Sequence, residues 1–199
     1  KDSAQWILEG DIRGCFDNFS HSWLLNNIPM DTRVLNQFLK AGYIFDGIFC
    51  RNESGTPQGG IISPLLANLT LDGMEQVLMK RVPGKKVHLV RFADDFLVTA
   101  ESEETAIQCK EVIAEFLKER GLELSEEKTR IVHVNDGFDF LGWNIRKFKG
   151  KLLIQPSKKA IAAITQKLSE VIKSAKAWKQ EDLIKMLNPR ENALFGVKT

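Results

Sequence analysis

Two hydrophobic periods alternate along the chain, one typical of strands and one typical of helices. The clearest strand pattern covers residues 90–99, in which two short apolar runs flank the adjacent carboxylates Asp94 and Asp95. Because β-branched and aromatic residues favour strands and Asp is tolerated in turns, this stretch predicts a hairpin with both carboxylates at its tip. The apolar run at residues 6–10 predicts another strand, which ends at Asp11.

Helical spacing of apolar residues predicts several helices between these strands. Ser20, Asp31 and Ser102 each precede such a segment, and their side chains are suited to accept hydrogen bonds from the first N–H groups of a helix. A long helix is predicted over residues 63–82, with Ser63 as its N-cap.

Further apolar runs predict a strand or hairpin within residues 42–49, a strand over 129–134 and a hairpin within 138–154. In element order, residues 6–134 follow a βαββαβ arrangement with a large insertion in the first crossover, around residues 30–60. The predicted fold class is therefore α+β. In such a sheet the first strand is expected to lie beside the Asp–Asp hairpin.

The composition changes at Ser157, after which lysines stud a predicted helix. The apolar stripe of this helix is predicted to consist of Ile161, Ile164, Leu168 and Ile172. We place a domain boundary near Pro156, which separates a domain of residues 1–156 from a partial helical domain of residues 157–199.

The overall composition is that of a globular protein, with 43% hydrophobic and 27% charged residues and a formal net charge of +2. So small a net charge neither requires nor excludes a nucleic-acid partner. Cys15, Cys50 and Cys109 are odd in number and lack the spacing of zinc ligands, which favours a reducing compartment such as a bacterial cytoplasm. Because no apolar stretch has the length of a membrane span, no membrane partner is expected.

Asp11, Asp94 and Asp95 are the candidate catalytic residues. Acidic side chains in such apolar surroundings are costly to desolvate unless a cation compensates them. Two divalent cations about 4 Å apart, held by carboxylates on rigid elements, can activate an attacking oxygen and stabilise a leaving oxygen in phosphoryl transfer. Each aspartate alone is better explained as a turn residue, but the three together, with a glycine-rich loop between them, favour a metal site.

The glycine-rich loop at residues 55–60 has two interpretations. It could bring backbone close to a ligand, with Gln58 bonding a base, or it could be a hairpin end that leads into a helix. Phe16 could lie beneath a sugar ring or pack in the core. Lys128 could lie near a leaving pyrophosphate or be a solvated loop lysine. A structural role is expected for His21.

Five short segments form a pattern more specific than any of them alone. They are residues 11–18, 55–68, 92–95, 124–129 and 140–142. In order and spacing they resemble motifs A to E of the reverse transcriptase domain of group II intron-encoded proteins, the intron reverse transcriptase/maturase family. The Pro-Gln-Gly-Gly-x-x-Ser-Pro-Leu-Leu run in the second segment is highly specific, whereas Phe92 replaces the family's more frequent Tyr.

The resemblance implies a polymerase palm with a ferredoxin-like core, followed by the start of a helical thumb or maturase X domain. It implies RNA-directed DNA synthesis, in which a dNTP is joined to the 3′-OH of a DNA primer on an RNA template, the intron RNA. Two Mg²⁺ ions, for which Mn²⁺ can substitute, would be held by Asp11, Asp94, Asp95 and the carbonyl of Ile12. Phe16 would select dNTP over NTP.

Further roles follow from the same resemblance. The nucleotide-binding residues would be Ile12, Arg13, Gly14, Cys15, Phe16, Gln58, Gly59 and Lys128. The primer grip would be Phe140, Leu141 and Gly142. A homodimer is left open.

The sequence departs from the family at both ends. The finger strands that normally precede motif A are absent, as are the DNA-binding and endonuclease regions, and residues 190–199 depart from the family's thumb sequence. We therefore expect this chain alone to be a weak or inactive polymerase.

Two other functions stay open. One is an RNA-binding splicing cofactor that keeps the palm as a scaffold, which the missing fingers favour and the intact aspartates oppose. The other is a nucleotide cyclase with a palm-like core. Residues 92–95 argue against a cyclase, because they lack the Gly-Gly-Asp/Glu-Glu/Asp-Phe-like turn of such enzymes.

Overall fold

The computed structural model of the chain describes residues 4–50, 52, 54–56, 60–84, 86–175, 178–182 and 184. Gln58 and Gly59, two of the predicted nucleotide-binding residues, lie outside this part of the chain, as does the divergent segment 190–199. The chain divides into two compact units, residues 1–138 and 139–199, and each is described by itself.

The first unit contains both strands and helices, which confirms the predicted α+β class. Its strands are β1 (Trp6–Gly10), β2 (Tyr43–Phe45), β3 (Ile48–Cys50), β4 (His88–Phe92), β5 (Asp95–Ala100) and β6 (Arg130–His133). Its helices are α1 (Cys15–Asn18), α2 (His21–Asn27), α3 (Thr32–Lys40), α4 (Ser63–Leu71), α5 (Met74–Arg81) and α6 (Glu103–Lys118). Across the residues that the structure describes, no helix combines the length and apolar character that a membrane crossing requires.

Four strands form the main sheet of the first unit, in the order β4-β5-β1-β6. β1 pairs antiparallel with β5 on one side and with β6 on the other, and β4 and β5 form a hairpin. The register sets Gly10 opposite Phe96, so the end of β1 lies beside the start of β5. The prediction that the first strand lies beside the Asp–Asp hairpin is therefore confirmed. β2 and β3 form a separate hairpin, one of the two forms predicted for this segment.

Polar side chains start three helices as predicted. The side-chain oxygens of Ser20, Asp31 and Ser102 accept hydrogen bonds from backbone N–H groups in the first turns of α2, α3 and α6. These bonds satisfy donors that the helix itself leaves without a partner, so the short helices begin at defined residues.

The helix predicted over residues 63–82 is instead two helices, α4 and α5. Asp72 is extended, with ψ of 146°, and Gly73 has φ of 87°, so helical hydrogen bonding cannot continue through this pair. The predicted N-cap is also wrong, because Ile62 holds the cap position and Ser63 is already helical.

The guanidinium of Arg120 connects three helices of the first unit. It donates from Nε to the carbonyl of Thr70 at 2.8 Å and from Nη1 to the carbonyl of Phe116 at 2.7 Å. It also lies 4.6 Å from the centroid of the Trp23 ring on α2. Burial lowers the pKa of Arg120, yet arginine stays charged in proteins, so these are charge-assisted contacts.

The second unit begins within β7 (Phe138–Phe140) and contains β8 (Trp143–Phe148), β9 (Lys151–Pro156) and α7 (Lys158–Ser174). The strands form one sheet in the order β7-β8-β9. The N–H of Ser157 donates to the carbonyl of Gly142 at 2.8 Å, which ties the start of α7 to the start of β8. The hairpin therefore groups with the helix, and the boundary between compact units falls after Phe138 rather than near Pro156.

The apolar stripe predicted for α7 is only partly correct. Ile161 and Ile172 are 52% and 54% exposed, whereas Val171 and the following Ala175 are buried. The buried side of the helix is thus rotated away from the stripe that the sequence suggested.

Gly10 is a position at which the main sheet has no room for a side chain. An added Cβ would lie 2.0 Å from the ring of Phe96, which is 1% exposed. We expect Gly10→Ala to lower the free energy of unfolding by about 1–3 kcal/mol, because a packed core must shift to admit the methyl group. Chemical denaturation of the purified chain measures the loss.

The matched control is Phe96→Leu, made alone and together with Gly10→Ala. If the methyl–ring contact causes the loss, the double variant is more stable than the sum of the two single losses predicts. Strict additivity would show that this contact is not the cause.

Candidate active site

Three stretches that are distant in sequence line one cavity of about 720 Å³ in the first unit. They are the end of β1 with the turn and helix that follow, the tip of the β4–β5 hairpin, and the loop before β6. The predicted site residues among those that line the cavity are Asp11, Ile12, Arg13, Gly14, Cys15, Phe16, Asp94 and Lys128. The fold therefore brings the carboxylates of Asp11 and Asp94 to one cavity.

The β1–β5 ladder brings the third carboxylate to the same end of the sheet. Gly10 is opposite Phe96, and the same register carried one residue further sets Asp11 opposite Asp95. Directly opposite residues of an antiparallel pair have Cβ atoms about 4.5–5.5 Å apart. Asp94 lies in the turn immediately before β5, so all three carboxylates lie where this ladder ends.

Arg91 holds the hairpin turn in place. Its Nη1 atom donates to the carbonyl of Ala93 at 3.0 Å and to Oδ1 of Asn68, on α4, at 3.1 Å. Ala93 has φ of 55°, which is unfavourable for a residue with a Cβ, so this turn depends on its surroundings. Sequence reasoning missed this role, although an arginine within an apolar strand, three residues before Asp94, was a usable signal.

Backbone hydrogen bonds fix the end of β1 against the loop before β6. The carbonyl of Asp11 accepts from the N–H of Ser125 at 2.9 Å, and the N–H of Arg13 donates to the carbonyl of Glu123 at 2.9 Å. Ile12 therefore forms an isolated antiparallel bridge with the residue between these two partners. Because successive carbonyls of an extended chain point to opposite sides, the Ile12 carbonyl points away from the loop, towards the β5 side.

Lys128 forms an ion pair with Asp11, with 3.0 Å between Nζ and Oδ2. The lysine side chain is 68% exposed and the aspartate side chain 17% exposed, so a solvated cation reaches a largely buried carboxylate. The hydrogen bond to Asp11 and the charge of Asp11 raise the pKa of Lys128 above its usual value, and the ammonium stays protonated. Lys128 is thus part of this cavity rather than a lysine that only faces solvent.

Burial and the negative charge of the site raise the pKa values of two neighbouring groups, the Asp95 carboxyl and the Cys15 thiol. The pKa of Asp95 is raised above its usual 3.8, first by partial burial of its carboxyl and then by the charges of Asp94 and Asp11. Burial, with a smaller contribution from the same two charges, raises the pKa of Cys15 to about 12. The Cys15 thiol therefore stays protonated, and at 3% exposure it packs in the core rather than acting as a nucleophile.

The donor set of the cavity fits a divalent cation of the Mg²⁺ type. Carboxylates and a backbone carbonyl are the hard oxygen ligands that Mg²⁺ prefers, and the Lys128 ammonium already provides a positive charge at Asp11. Among the described residues, no three side chains of His, Cys, Asp or Glu are grouped closely enough to hold one ion. With the two carboxylates of Asp11 and Asp94 lining the cavity, the arrangement suits a cation that takes its other ligands from water or substrate phosphates, as Mg²⁺ usually does.

The start of the glycine-rich loop is bonded to α1, the short helix that contains Phe16. The N–H of Thr56 donates to the carbonyl of Phe16 at 2.6 Å, and a Cβ on Gly55 would lie 2.2 Å from that same oxygen. Gly55 therefore lacks a side chain where the loop packs closely against the backbone of Phe16, and this close contact is with the protein rather than with a ligand. Nε2 of His21 bonds the carbonyl of Gly55 at 2.7 Å, which confirms a structural role for this histidine. The half-buried Phe16 ring meets Phe19 edge-on at 6.1 Å and also borders the cavity.

Other predicted residues lie elsewhere. Asp95 is the exposed first residue of β5 and is not among the residues that line the cavity. Phe140 ends β7 in the second unit, and Leu141 and Gly142 form the turn before β8 with φ of 49° and 83°. The loop at residues 123–127 lines the cavity but was not predicted to do so, because only its backbone pairing with β1 brings it there.

Comparison with known proteins gives relatives for most of the chain. The sequence profile of the reverse transcriptase (RNA-dependent DNA polymerase) family matches residues 1–145. The group II intron-encoded protein LtrA of Lactococcus lactis is 30% identical over 210 residues, which cover 72% of this chain and 35% of LtrA. Protein YkfC of Escherichia coli (strain K12) is 32% identical over 179 residues, covering 70% and 46%. This chain thus spans less than half the length of either relative.

Solved structures share the fold at much lower identity. A telomerase from Candida albicans, in complex with a TWJ fragment of telomeric RNA, superposes with a TM-score of 0.61 at 15% identity, over 78% of this chain and 31% of its own. At that identity the likeness establishes the fold alone. The resemblance to group II intron-encoded proteins is confirmed by the LtrA match. Together with the profile match, these findings establish that the chain belongs to the reverse transcriptase (RNA-dependent DNA polymerase) family.

Proposed function

We propose that the first unit is the palm of an RNA-directed DNA polymerase, with a βαββαβ, ferredoxin-like core, and that it joins a dNTP to the 3′-OH of a primer. The observation that carries this proposal is the shared cavity. Asp11 and Asp94, far apart in sequence, line it together with Lys128, and the half-buried Phe16 borders it.

Asp11, Asp94 and the carbonyl of Ile12 would hold Mg²⁺, or Mn²⁺ in its place, with Asp95 in support. When bound, the ions would lower the pKa of the primer hydroxyl and offset the charge that develops on the leaving pyrophosphate. The backbone bonds of Asp11 to the loop before β6 and the contact of Arg91 with the hairpin turn keep these oxygens in position.

Lys128 would bind Asp11 first and the phosphates of the nucleotide afterwards. In the structure it neutralises Asp11. Once released, its long and exposed side chain would let the ammonium reach phosphates bound in the same cavity. The nearby Phe16, whose carbonyl is fixed by Thr56, would contact the sugar of the dNTP and disfavour a 2′-hydroxyl.

The resemblance to group II intron-encoded proteins supports an RNA template, the intron RNA, and a DNA primer. Gln58 and Gly59 would complete the nucleotide site. Phe140, Leu141 and Gly142 of the second unit would form the primer grip, and α7 the start of the thumb.

A second candidate function is RNA binding in intron splicing, with the palm as a scaffold that does not polymerise. It is favoured by the Lys128–Asp11 ion pair, because the chain itself supplies a cation that neutralises this carboxylate. The two functions differ in whether the carboxylates of the cavity bind a divalent cation.

Asp94→Asn tests the proposed function most directly. Removing one carboxylate charge while keeping the side-chain shape should weaken Mn²⁺ binding by about 10- to 100-fold, which electron paramagnetic resonance of free Mn²⁺ measures. Primer extension on an RNA template should fall by at least about 100-fold.

The matched control is Glu101→Gln, which removes one negative charge just beyond the opposite end of β5. It should leave both readouts unchanged. If the parent chain binds no Mn²⁺, or if Asp94→Asn binds it as tightly as the parent does, the polymerase proposal fails and the scaffold function is favoured.

Lys128→Gln tests whether the lysine competes for Asp11. Because the ion pair is partly exposed, removing the competing ammonium should tighten Mn²⁺ binding by only about two- to fivefold. The same variant should not extend primers faster, since it lacks the cation proposed to face the triphosphate. Isothermal titration with MnCl₂ measures the affinity.

Lys118→Gln, at the exposed end of α6, provides a control for the loss of one positive charge. It should leave the Mn²⁺ affinity at the parent value. Equal affinities for the parent and the Lys128→Gln chain would show that Lys128 does not hold Asp11 against a metal ion.

A further inference from the structure

Positive charge is concentrated in the second unit. Residues 139–199 contain 13 Lys and Arg against five Asp and Glu, whereas residues 1–138 contain 15 against 21. Residues 140–169 contain seven basic and no acidic side chains. A surface with so little charge compensation attracts polyanions and repels like charge.

Part of this charge surrounds an exposed aromatic ring at the β8–β9 turn. Phe148 is directly opposite Lys151, and Lys149 and Gly150 form the turn between them with φ of 48° and 78°. Side chains two residues apart on a strand share a face, so Arg146 lies on the same face as Phe148. We call Arg146, Phe148, Lys149 and Lys151 the basic tip.

Two cations lie near the ring of Phe148, which is not buried in a core. Phe148 is 47% exposed, and the guanidinium of Arg146 and the ammonium of Lys149 lie 5.0 Å and 5.5 Å from its centroid. Cations within about 6 Å of a ring stabilise it electrostatically and hold it in position. The ring is therefore exposed, with two phosphate-binding groups near it.

We propose that the basic tip binds an unpaired nucleic-acid strand. An exposed aromatic side chain offers a stacking surface for one base, and flanking Lys and Arg contact the phosphates on either side. A single ring among cations is a poor match for a lipid surface, which would favour several apolar side chains. The tip lies at the other end of β8 from Gly142, about 16–20 Å away along the strand, so it is separate from the predicted primer grip.

The test is fluorescence anisotropy of a labelled mixed-sequence single strand, as RNA and as DNA, titrated with the full chain at several salt concentrations. Phe148→Ala should bind about 5- to 150-fold more weakly with an unchanged salt slope, because stacking is lost and charge is not. Phe148→Trp should bind at least as tightly as the parent. The double variant Arg146→Gln/Lys149→Gln should reduce the slope of log K against log salt by about 1.4.

A matched double variant, Lys80→Gln/Lys118→Gln, removes two positive charges from exposed positions on α5 and α6 of the first unit. It should leave both affinity and salt slope near the parent values. If Phe148→Ala binds as tightly as the parent at every salt concentration, the proposal is wrong. It is also wrong if the two double variants lower the slope equally, because the charge at the tip would then have no special role.

Two further measurements distinguish the basic tip from the polymerase site and from a membrane-binding surface. Strand binding by the parent chain should be unchanged by EDTA, which removes the divalent cations that the proposed polymerase site would bind, so a failed polymerase assay leaves this inference standing. Any binding of the chain to vesicles of phosphatidylserine and phosphatidylcholine should be purely electrostatic and should not depend on Phe148. Binding to those vesicles that depends on Phe148, without a matching effect on nucleic acid, would overturn the proposal in favour of a membrane surface.

Discussion

The antiparallel pairing of β1 with β5 is the constraint on which the candidate site depends. Its register sets Gly10 against Phe96, and the next step along the ladder brings Asp11 to the start of β5. Backbone hydrogen bonds, not attraction between side chains, hold the acidic groups together. This requires Gly10 to have no side chain, since the buried Phe96 ring fills the space where a Cβ would lie.

Bringing these charges together has an electrostatic cost that the neighbouring residues partly offset. The carboxylates of Asp94 and Asp11 contribute to raised pKa values of Asp95 and of the Cys15 thiol. Lys128 reaches in from a loop to neutralise Asp11. Because that loop is bonded to the backbone of β1, the sheet positions both the carboxylates and the cation that faces them.

Much of this arrangement follows from local sequence. The strand ending at Asp11, the Asp–Asp hairpin and the caps at Ser20 and Ser102 each depend on residues a few positions apart, so the sequence predicted them correctly. The break at Gly73 was missed, because glycine occurs in helices and only the structure shows its positive φ.

Long-range contacts account for the remaining differences. The partners of Lys128 and Arg91 are determined by which elements pack together, and a single sequence without an alignment does not specify this. The same holds for α7, whose buried side includes Val171 rather than Ile161. The motif pattern nevertheless identified the family, because its five segments preserve order and spacing even where the contacts between them were unknown.

The central claim is that Asp11 and Asp94 form a divalent-cation site from which Lys128 must withdraw. Anomalous diffraction from crystals of the chain grown with MnCl₂ tests it most directly. We expect an anomalous peak beside the carboxylates of Asp11 and Asp94, with the Lys128 ammonium no longer bonded to Asp11. Full occupancy of the Lys128–Asp11 ion pair, with no anomalous peak at these carboxylates, would contradict it.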